Sequence, residues 1–115
     1  MNATIKRKSL GINFALYTRG DEKIKPQLVH SMINDVKALQ ECLAEAIRSN
    51  NIQLLRDGIK NANSTLTMLQ HKRFSEVLEF LKFMPDSPER DVIIDSFIEQ
   101  SEEILECLHW ELSNF

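Results

Sequence analysis

Histidine and cysteine are among the residues of this chain that could act as nucleophiles or bind a metal ion, and glutamates of the last helix, Glu99 with Glu102 and Glu103 or Glu102 with Glu106, could also serve as metal ligands. The histidines are His30, His71 and His109, and the cysteines are Cys42 and Cys107. The cysteines form no Cys-x-x-Cys pair, and their spacing to the histidines is not that of a metal site. No spacing of serine, histidine and aspartate suggests a catalytic triad either. We therefore expect no catalytic residue, no metal, no cofactor and two reduced thiols.

Composition predicts one soluble domain that spans residues 1–115. The chain has 115 residues, of which 43% are hydrophobic and 27% charged, and its formal net charge is −3. This size suits a single core. The only basic cluster is Lys6–Lys8, in residues 1–8, which we expect to form a flexible tail. Because the chain is acidic from Pro85 onward, no nucleic-acid partner is expected.

Targeting and membrane signals are absent from the sequence. No apolar run approaches the roughly 18 residues that a membrane-spanning helix needs. The first residues also lack the apolar centre of a signal peptide. The sequence thus predicts a cytoplasmic protein with no membrane contact.

Hydrophobic residues recur at helical spacing along nearly the whole chain, which predicts an all-α fold. A short helix is expected in SLGINFALY, ending near Gly20, and a long one from about Pro26 to Ser49–Asn51. A third is expected from Ile52 to Leu69 without a break, and a shorter fourth after a turn at residues 70–73. The sequence DSP at residues 86–88 predicts the start of the last helix. Short connections favour an antiparallel four-helix bundle with a short extra N-terminal helix.

One face of each helix is predicted to form the core. The third helix has the most regular row of apolar residues. In the second helix, Val29 and Ile33 lie beside the main row of apolar residues. The predicted inward residues are Ile24, Leu28, Met32, Val36, Leu39, Leu43 and Ile47; Ile52, Leu55, Ile59, Ala62, Leu66 and Leu69; Phe74, Val77, Leu78 and Leu81; and Ile94, Phe97, Ile98, Ile104 or Leu105, Leu108 and Leu112.

The middle of the third helix is unusually polar. Within LLRDGIKNANSTLTML, residues 54–69, the segment KNANST contains small polar residues that favour helix only weakly. The apolar seam directs Lys60, Asn63, Ser64 and Thr67 away from the core. Within this segment, Asn61, Asn63, Ser64 and Thr65 either belong to a binding surface or are neutral surface positions on a helix that its apolar residues stabilise.

The segment from Gly20 to Leu69 resembles the histidine-containing phosphotransfer domain, a small helical bundle that passes phosphoryl groups between receiver domains. That family shows an acidic GDE-like opening, a long helix, a short polar break and then a stretch of the form L-R-x-x-A-H-x-L-K-G. Leu55, Arg56 and Leu69 match this frame, and the resemblance extends from about Leu10 over almost the whole chain. It implies that a partner docks on the face around Lys60.

The phosphotransfer motif itself is missing from this chain. In the family frame, Lys60 takes the place of the phosphorylated histidine, Asn63 that of the lysine and Ser64 that of the glycine. A protonated ammonium group has no lone pair with which to attack phosphorus. Phosphotransfer through another histidine is an open alternative, but none has a lysine and a glycine at the family's spacing. We therefore expect a binding protein and not an enzyme.

The resemblance implies a partner surface formed by Arg56, Lys60, Asn63, Ser64, Thr67 and Ile33. Val29 and Ile33 either supply its apolar part or only contact the first helix. The expected partner is a response-regulator receiver domain or a hybrid sensor kinase, bound by a monomer. The alternative is a self-associating or adaptor bundle with no role in phosphorelay. Its contact surface would be formed by the apolar residues of FLKFM, residues 80–84, with Phe80 and Phe83 as an exposed aromatic pair.

Overall fold

The computed structural model of this chain describes residues 12–83 and 88–113. These two ranges contain six α-helices and no β-strand, so the predicted all-α fold is confirmed. The helices are α1 (Phe14–Thr18), α2 (Lys25–Ser49), α3 (Ile52–Asn61), α4 (Asn63–Leu69), α5 (Lys72–Phe83) and α6 (Glu89–Ser113). The predicted tail at residues 1–8, the start of SLGINFALY and the DSP signal up to Ser87 lie outside the described residues.

The ends of α2 and α3 follow signals in the sequence. Pro26 lies in the first turn of α2, where its missing N–H has no intrahelical partner to lose. Asn50 ends α2 in the left-handed conformation, with φ 52°, as the predicted end at Ser49–Asn51 requires. Asn51 then caps α3, because its side chain accepts a hydrogen bond from the backbone N–H of Gln53 at 3.1 Å. The change of chain direction between α2 and α3 is thus determined by the two asparagines that connect them.

The predicted third helix is divided in two at Ala62. Ala62 has φ −92° and ψ 8°, outside the α-helical values, and it separates α3 from α4. Ala62 is hydrogen-bonded to both helices, because its N–H donates to the Gly58 carbonyl at 3.0 Å and its carbonyl accepts from the Leu66 N–H at 2.9 Å. The expectation of an unbroken helix is therefore wrong. The break falls in KNANST, where Asn, Ser and Thr residues of weak helix propensity are concentrated.

Helix α2 is the centre of the packing, with α3 on one side and α6 on another. It runs in the opposite direction to α6, because Gln40 Nε2 donates to Ser101 Oγ at 2.9 Å while Lys25, at the start of α2, pairs with Glu111 near the end of α6 at 3.2 Å. The Lys25 ammonium also lies 4.7 Å from the centre of the Phe14 ring, so it connects α1 to this pair of helices.

Helix α5 packs against both α6 and α3. The rings of Phe74 and Phe97 stack with their centroids 5.4 Å apart, which joins the start of α5 to the middle of α6. The Arg56 Nε group donates to the Lys82 carbonyl at 2.8 Å, which joins α3 to the end of α5. These contacts position α3 between α2 and α5.

The core contains most of the predicted inward residues. Phe74, Val77, Leu78 and Leu81 of α5 are all buried, as are the predicted residues in the middle of α2. Three predictions are wrong, because Ile24, Ile47 and Ile98 are exposed by 43%, 37% and 50%. Ile24 immediately precedes α2 and Ile47 lies in its last turn, where fewer neighbouring helices cover the side chain.

A membrane-crossing segment would need a long apolar helix. Among the helices of residues 12–83 and 88–113, none combines the length and the hydropathy for such a crossing.

Candidate functional site

Five of the six predicted partner-binding residues lie on the surface. Arg56 and Lys60 are exposed on α3, and Asn63, Ser64 and Thr67 are exposed on α4. Lys60 occupies the last turn of α3, just before the break at residue 62. The predicted outward direction of Lys60, Asn63, Ser64 and Thr67 is therefore confirmed. The role of all five residues in binding stays a prediction.

Ile33 does not belong to this surface. It is only 3% exposed and lies in the core cluster, as does Val29, which is fully buried. Helix α2 has neighbours on more than one side, so its buried face is wider than the single stripe predicted from the sequence. A partner that contacts Lys60 cannot reach Ile33 without opening the core, so the prediction that Ile33 is part of the partner surface is wrong.

A shallow groove of about 280 Å³ lies between α3–α4 and α5 beside the predicted surface. Asn63 and Thr67 contribute to one wall, and α5 supplies the other. The lining residues are Ile59, Asn63, Leu66, Thr67, Ser75, Leu78, Glu79 and Lys82. Lys82 Nζ pairs with Glu79 Oε2 at 2.8 Å, so the two charges of this wall compensate each other. The structure thus places Asn63 and Thr67 together along one groove and holds the groove's end through the bond between Arg56 and Lys82.

Thr65 is the residue of KNANST that faces inward. It is 2% exposed, and its hydroxyl donates to Asp35 Oδ2 on α2 at 2.6 Å. The interpretation of Thr65 as a neutral surface position is therefore wrong. Its buried hydroxyl has a charged acceptor, which satisfies the polar group that the sequence places against α2. This bond positions α4, and with it the exposed side chains of Asn63, Ser64 and Thr67.

The histidines occupy three separate positions. His30 is exposed on α2 and His109 on α6, whereas His71 is half-buried in the turn before α5. His71 Nδ1 accepts the backbone N–H of Phe74 at 3.1 Å, so this ring caps the start of α5. An Nδ1 atom that accepts this hydrogen bond has its lone pair directed at the helix end. The observed role of His71 is therefore structural.

Cys42 lies on α2 against Gly58 of α3. Its thiol has a raised pKa, first because burial disfavours the thiolate and then because the carboxylates of Glu41 and Asp57 repel it. The protonated thiol is the weaker nucleophile. Cys42 therefore packs between helices in a form poorly suited to nucleophilic attack.

A second groove, of about 430 Å³, lies between α2 and α6. Glu106 and His109 lie three residues apart on α6 and share this groove with Glu41 and Glu102. The spacing of Glu106 and His109 is one that metal-binding bundles use. Even so, within the part of the chain that the structure describes, no three His, Cys, Asp or Glu side chains are placed to hold a metal ion. Gln40 Nε2 instead donates to Glu102 Oε2 at 2.7 Å across the groove.

Two residues with clear structural roles escaped the sequence analysis. Gly58 lies against α2, where a β-carbon would meet Cys42 Sγ at 2.7 Å. A glycine inside a regular helical pattern is itself a signal of such close approach. Arg90 lines a cavity at one end of the molecule, and its Nε atom is buried without a hydrogen-bond partner. No pattern in the sequence distinguishes Arg90 from an ordinary surface arginine.

Comparisons with known proteins add no relative to this description. Scans of protein-family models, curated proteins and solved structures each found no match to this chain.

Proposed function

We propose that this chain is a binding module that docks a receiver domain or a sensor kinase of a phosphorelay and accepts no phosphate. The observation that carries the proposal is the exposed Lys60, at the position that the resemblance gives to the phosphorylated histidine. Asn63, Ser64 and Thr67 are exposed close to it in sequence. Because these are small polar side chains, a partner can approach the backbone closely and find hydrogen-bonding groups there.

The proposal includes an architecture. In it, α2, α3 with α4, α5 and α6 are the four helices of an antiparallel bundle like that of phosphotransfer domains, and α1 is the short extra helix. The antiparallel direction of α2 and α6, which their contacts establish, supports this arrangement. So does the connection of α2 to α3 through only Asn50 and Asn51, because short connections join antiparallel neighbours.

The proposed role of Lys60 is electrostatic. Receiver domains carry an acidic pocket at the site of phosphorylation, according to the resemblance, and an ammonium group is a mobile point charge that attracts such carboxylates. An exposed charge of this kind favours the encounter and its orientation more than it adds to the final affinity. We therefore expect modest binding whose association rate falls with salt concentration.

A panel of purified receiver domains tests the proposal. At least one receiver should bind the full chain with a Kd of tens of micromolar or tighter, and Lys60→Glu should weaken it by roughly tenfold, mainly through slower association. Lys37→Glu is the matched control, because Lys37 is exposed on α2 beside the α2–α6 groove. The proposal fails if no receiver binds, or if both charge reversals weaken binding equally.

Phosphate acceptance needs a separate assay. Incubation with a phosphorylated receiver should leave the chain unlabelled, and acid-labile label on His30, His71 or His109 would show an active phosphotransfer protein instead. The variant that combines Lys60→His, Asn63→Lys and Ser64→Gly restores the family's residues. If that variant gains label, the alignment of Lys60 with the phosphorylated histidine is supported; without such a gain, the alignment loses its support.

A self-associating or adaptor bundle is the second candidate. The observation that favours it is Phe83 at the end of α5, which is 71% exposed. Its predicted companion Phe80 is half-buried against the core, so the two rings do not form an exposed pair. Among residues 80–83 of FLKFM, the only exposed hydrophobic side chain is therefore that of Phe83, and Met84 lies outside the described residues.

A further inference from the structure

A cavity of about 300 Å³ lies at the end of the molecule where four helix ends meet. It is formed where α2 ends and α3 begins, and where α5 ends and α6 begins. The cavity has both apolar and polar lining residues. The apolar ones include Ile47, Ile52 and Phe83, and the polar ones are Asn50, Asn51 and Arg90. The volume is at the lower end of the range typical of small-ligand sites.

Arg90 is the charged residue of this cavity. Its side chain is half-buried, and its Nε–H group is fully buried with no hydrogen-bond partner. Among the described residues, no carboxylate lines the cavity or forms an ion pair with Arg90. The guanidinium charge therefore has no carboxylate partner at the cavity, and an anion bound there would compensate it.

The neighbouring asparagine offers donors too. The Asn51 side-chain oxygen already accepts the backbone N–H of Gln53, at 3.1 Å, so its amide NH₂ group remains to donate. The backbone N–H of Asn50 is bonded to the carbonyls that end α2. The polar side of the cavity therefore presents a guanidinium and an amide NH₂ group, which together suit an anion with two acceptor oxygens.

The other side of the cavity limits the kind of anion. Phe83 is the most exposed large hydrophobic residue of the described chain, and Ile47 is exposed beside it. Covering these two side chains favours a ligand with an apolar body. A single arginine matches one carboxylate in its bidentate geometry, whereas a phosphate dianion would leave charge uncompensated.

We propose that this cavity binds a carboxylate carried on an apolar group, with the carboxylate on Arg90 and the apolar group against Phe83, Ile47 and Ile52. A free aromatic or aliphatic acid and the C-terminus of a peptide share this chemistry. The proposal is independent of receiver docking, because Lys60 lies eight residues beyond Ile52 along α3, about 12 Å away.

The test uses 3-phenylpropionate as the probe and the full chain labelled with ¹⁵N. The side-chain Nε–Hε signal of Arg90 should shift in a saturable manner, with a Kd on the order of 1 mM as expected for so small a ligand. Two further compounds are titrated in parallel. The neutral 3-phenylpropionamide should bind at least tenfold more weakly, and inorganic phosphate should shift the signal only weakly, without saturation in the same range.

Variants separate the site from general charge effects. Because Arg90→Gln removes the Nε–Hε signal, the variants are followed through the backbone amide signals of Asn51 and Ile52, which line the cavity. Arg90→Gln should abolish the saturable shift of these signals, whereas Arg73→Gln, at an exposed position of α5, should leave it unchanged. Should Arg90→Gln fail to fold, Phe83→Ala gives a second readout, with at least threefold weaker binding of the probe. The inference is overturned if the probe causes no shift, if the amide binds as well as the acid, or if both arginine variants behave alike.

A final comparison identifies the source of the carboxylate. A short peptide that ends in a free C-terminal phenylalanine is compared with the same peptide amidated at its C-terminus. Tighter binding of the free peptide than of 3-phenylpropionate points to a protein C-terminus, and the reverse order points to a small acid. Equal binding of the free and the amidated peptide would contradict recognition of a carboxylate in a peptide.

Discussion

Thr65 shows how one buried hydroxyl can position a whole surface. It lies in a segment of small polar residues, yet it alone of Asn63, Ser64, Thr65 and Thr67 is buried. Its bond to Asp35 spans α4 and α2. Hydrogen bonds to charged groups contribute more to stability than neutral ones, so we expect this bond to help hold α4 against α2.

Thr65→Val removes the donor and keeps the shape of the side chain. We expect the free energy of unfolding to fall by about 1 kcal/mol, because the Asp35 carboxylate loses a close partner. Urea denaturation of Thr65→Val, Asp35→Asn and the double variant measures the coupling between the two residues. A coupling energy near zero would show that the 2.6 Å bond contributes nothing to stability.

Gly58 determines how closely α3 approaches α2. A β-carbon at this position would lie 2.7 Å from Cys42 Sγ and 3.0 Å from Cys42 Cβ. The sulfur atom can move by rotation, but the Cβ atom is fixed to the backbone of α2. The helices would have to separate, and the contacts between α2 and α3 along the rest of their length would loosen.

Gly58→Ala therefore sets two effects against each other. Alanine favours helix over glycine by about 1 kcal/mol, whereas overpacking typically costs about 1–3 kcal/mol. We expect the clash to dominate and the free energy of unfolding, measured by urea denaturation, to fall by about 1 kcal/mol.

Asn61→Ala is the control for helix propensity. It lies on the same helix and is exposed, so alanine there gains helix propensity without a clash. The free energy of unfolding of Asn61→Ala should equal that of the unchanged chain or exceed it slightly. If Gly58→Ala is as stable as Asn61→Ala, the close approach of α2 and α3 imposes no steric limit.

The surface of the molecule has exposed apolar residues on several helices. Leu16 of α1, Phe83 of α5 and Val92 of α6 are exposed by 67%, 71% and 67%. A stable protein interface buries about 800 Å² on each partner, and one phenylalanine supplies only about 150–250 Å². Phe83 alone cannot hold two copies together, so we expect a monomer.

Analytical sedimentation of the full chain tests this expectation by measuring its mass in solution. The protein should sediment as a 13.3 kDa monomer at micromolar concentration, and Phe83→Asp should not change its mass. Val92→Asp is the matched control at an equally exposed position. A dimer that dissociates on Phe83→Asp but not on Val92→Asp would favour the self-associating bundle over the receiver-binding module.

Local patterns in the chain were enough to predict the helices and most of the inner residues. The three-and-four spacing predicted α5 and its buried face correctly, and the signals at Pro26 and Asn50 predicted the limits of α2. The outward direction of Lys60 followed from the apolar seam of α3. Each of these features depends on neighbours within one helix, so the order of residues along that helix is sufficient to predict it.

Burial between helices required the tertiary structure. Which sides of α2 and α6 are covered depends on how many helices pack there, so Ile33 is buried and Ile98 is exposed against expectation. The same reason explains why Thr65 faces inward towards Asp35, and why Arg90 lines a cavity between four helix ends. Periodicity describes one helix at a time, whereas these positions are decided by distances between residues far apart in the chain.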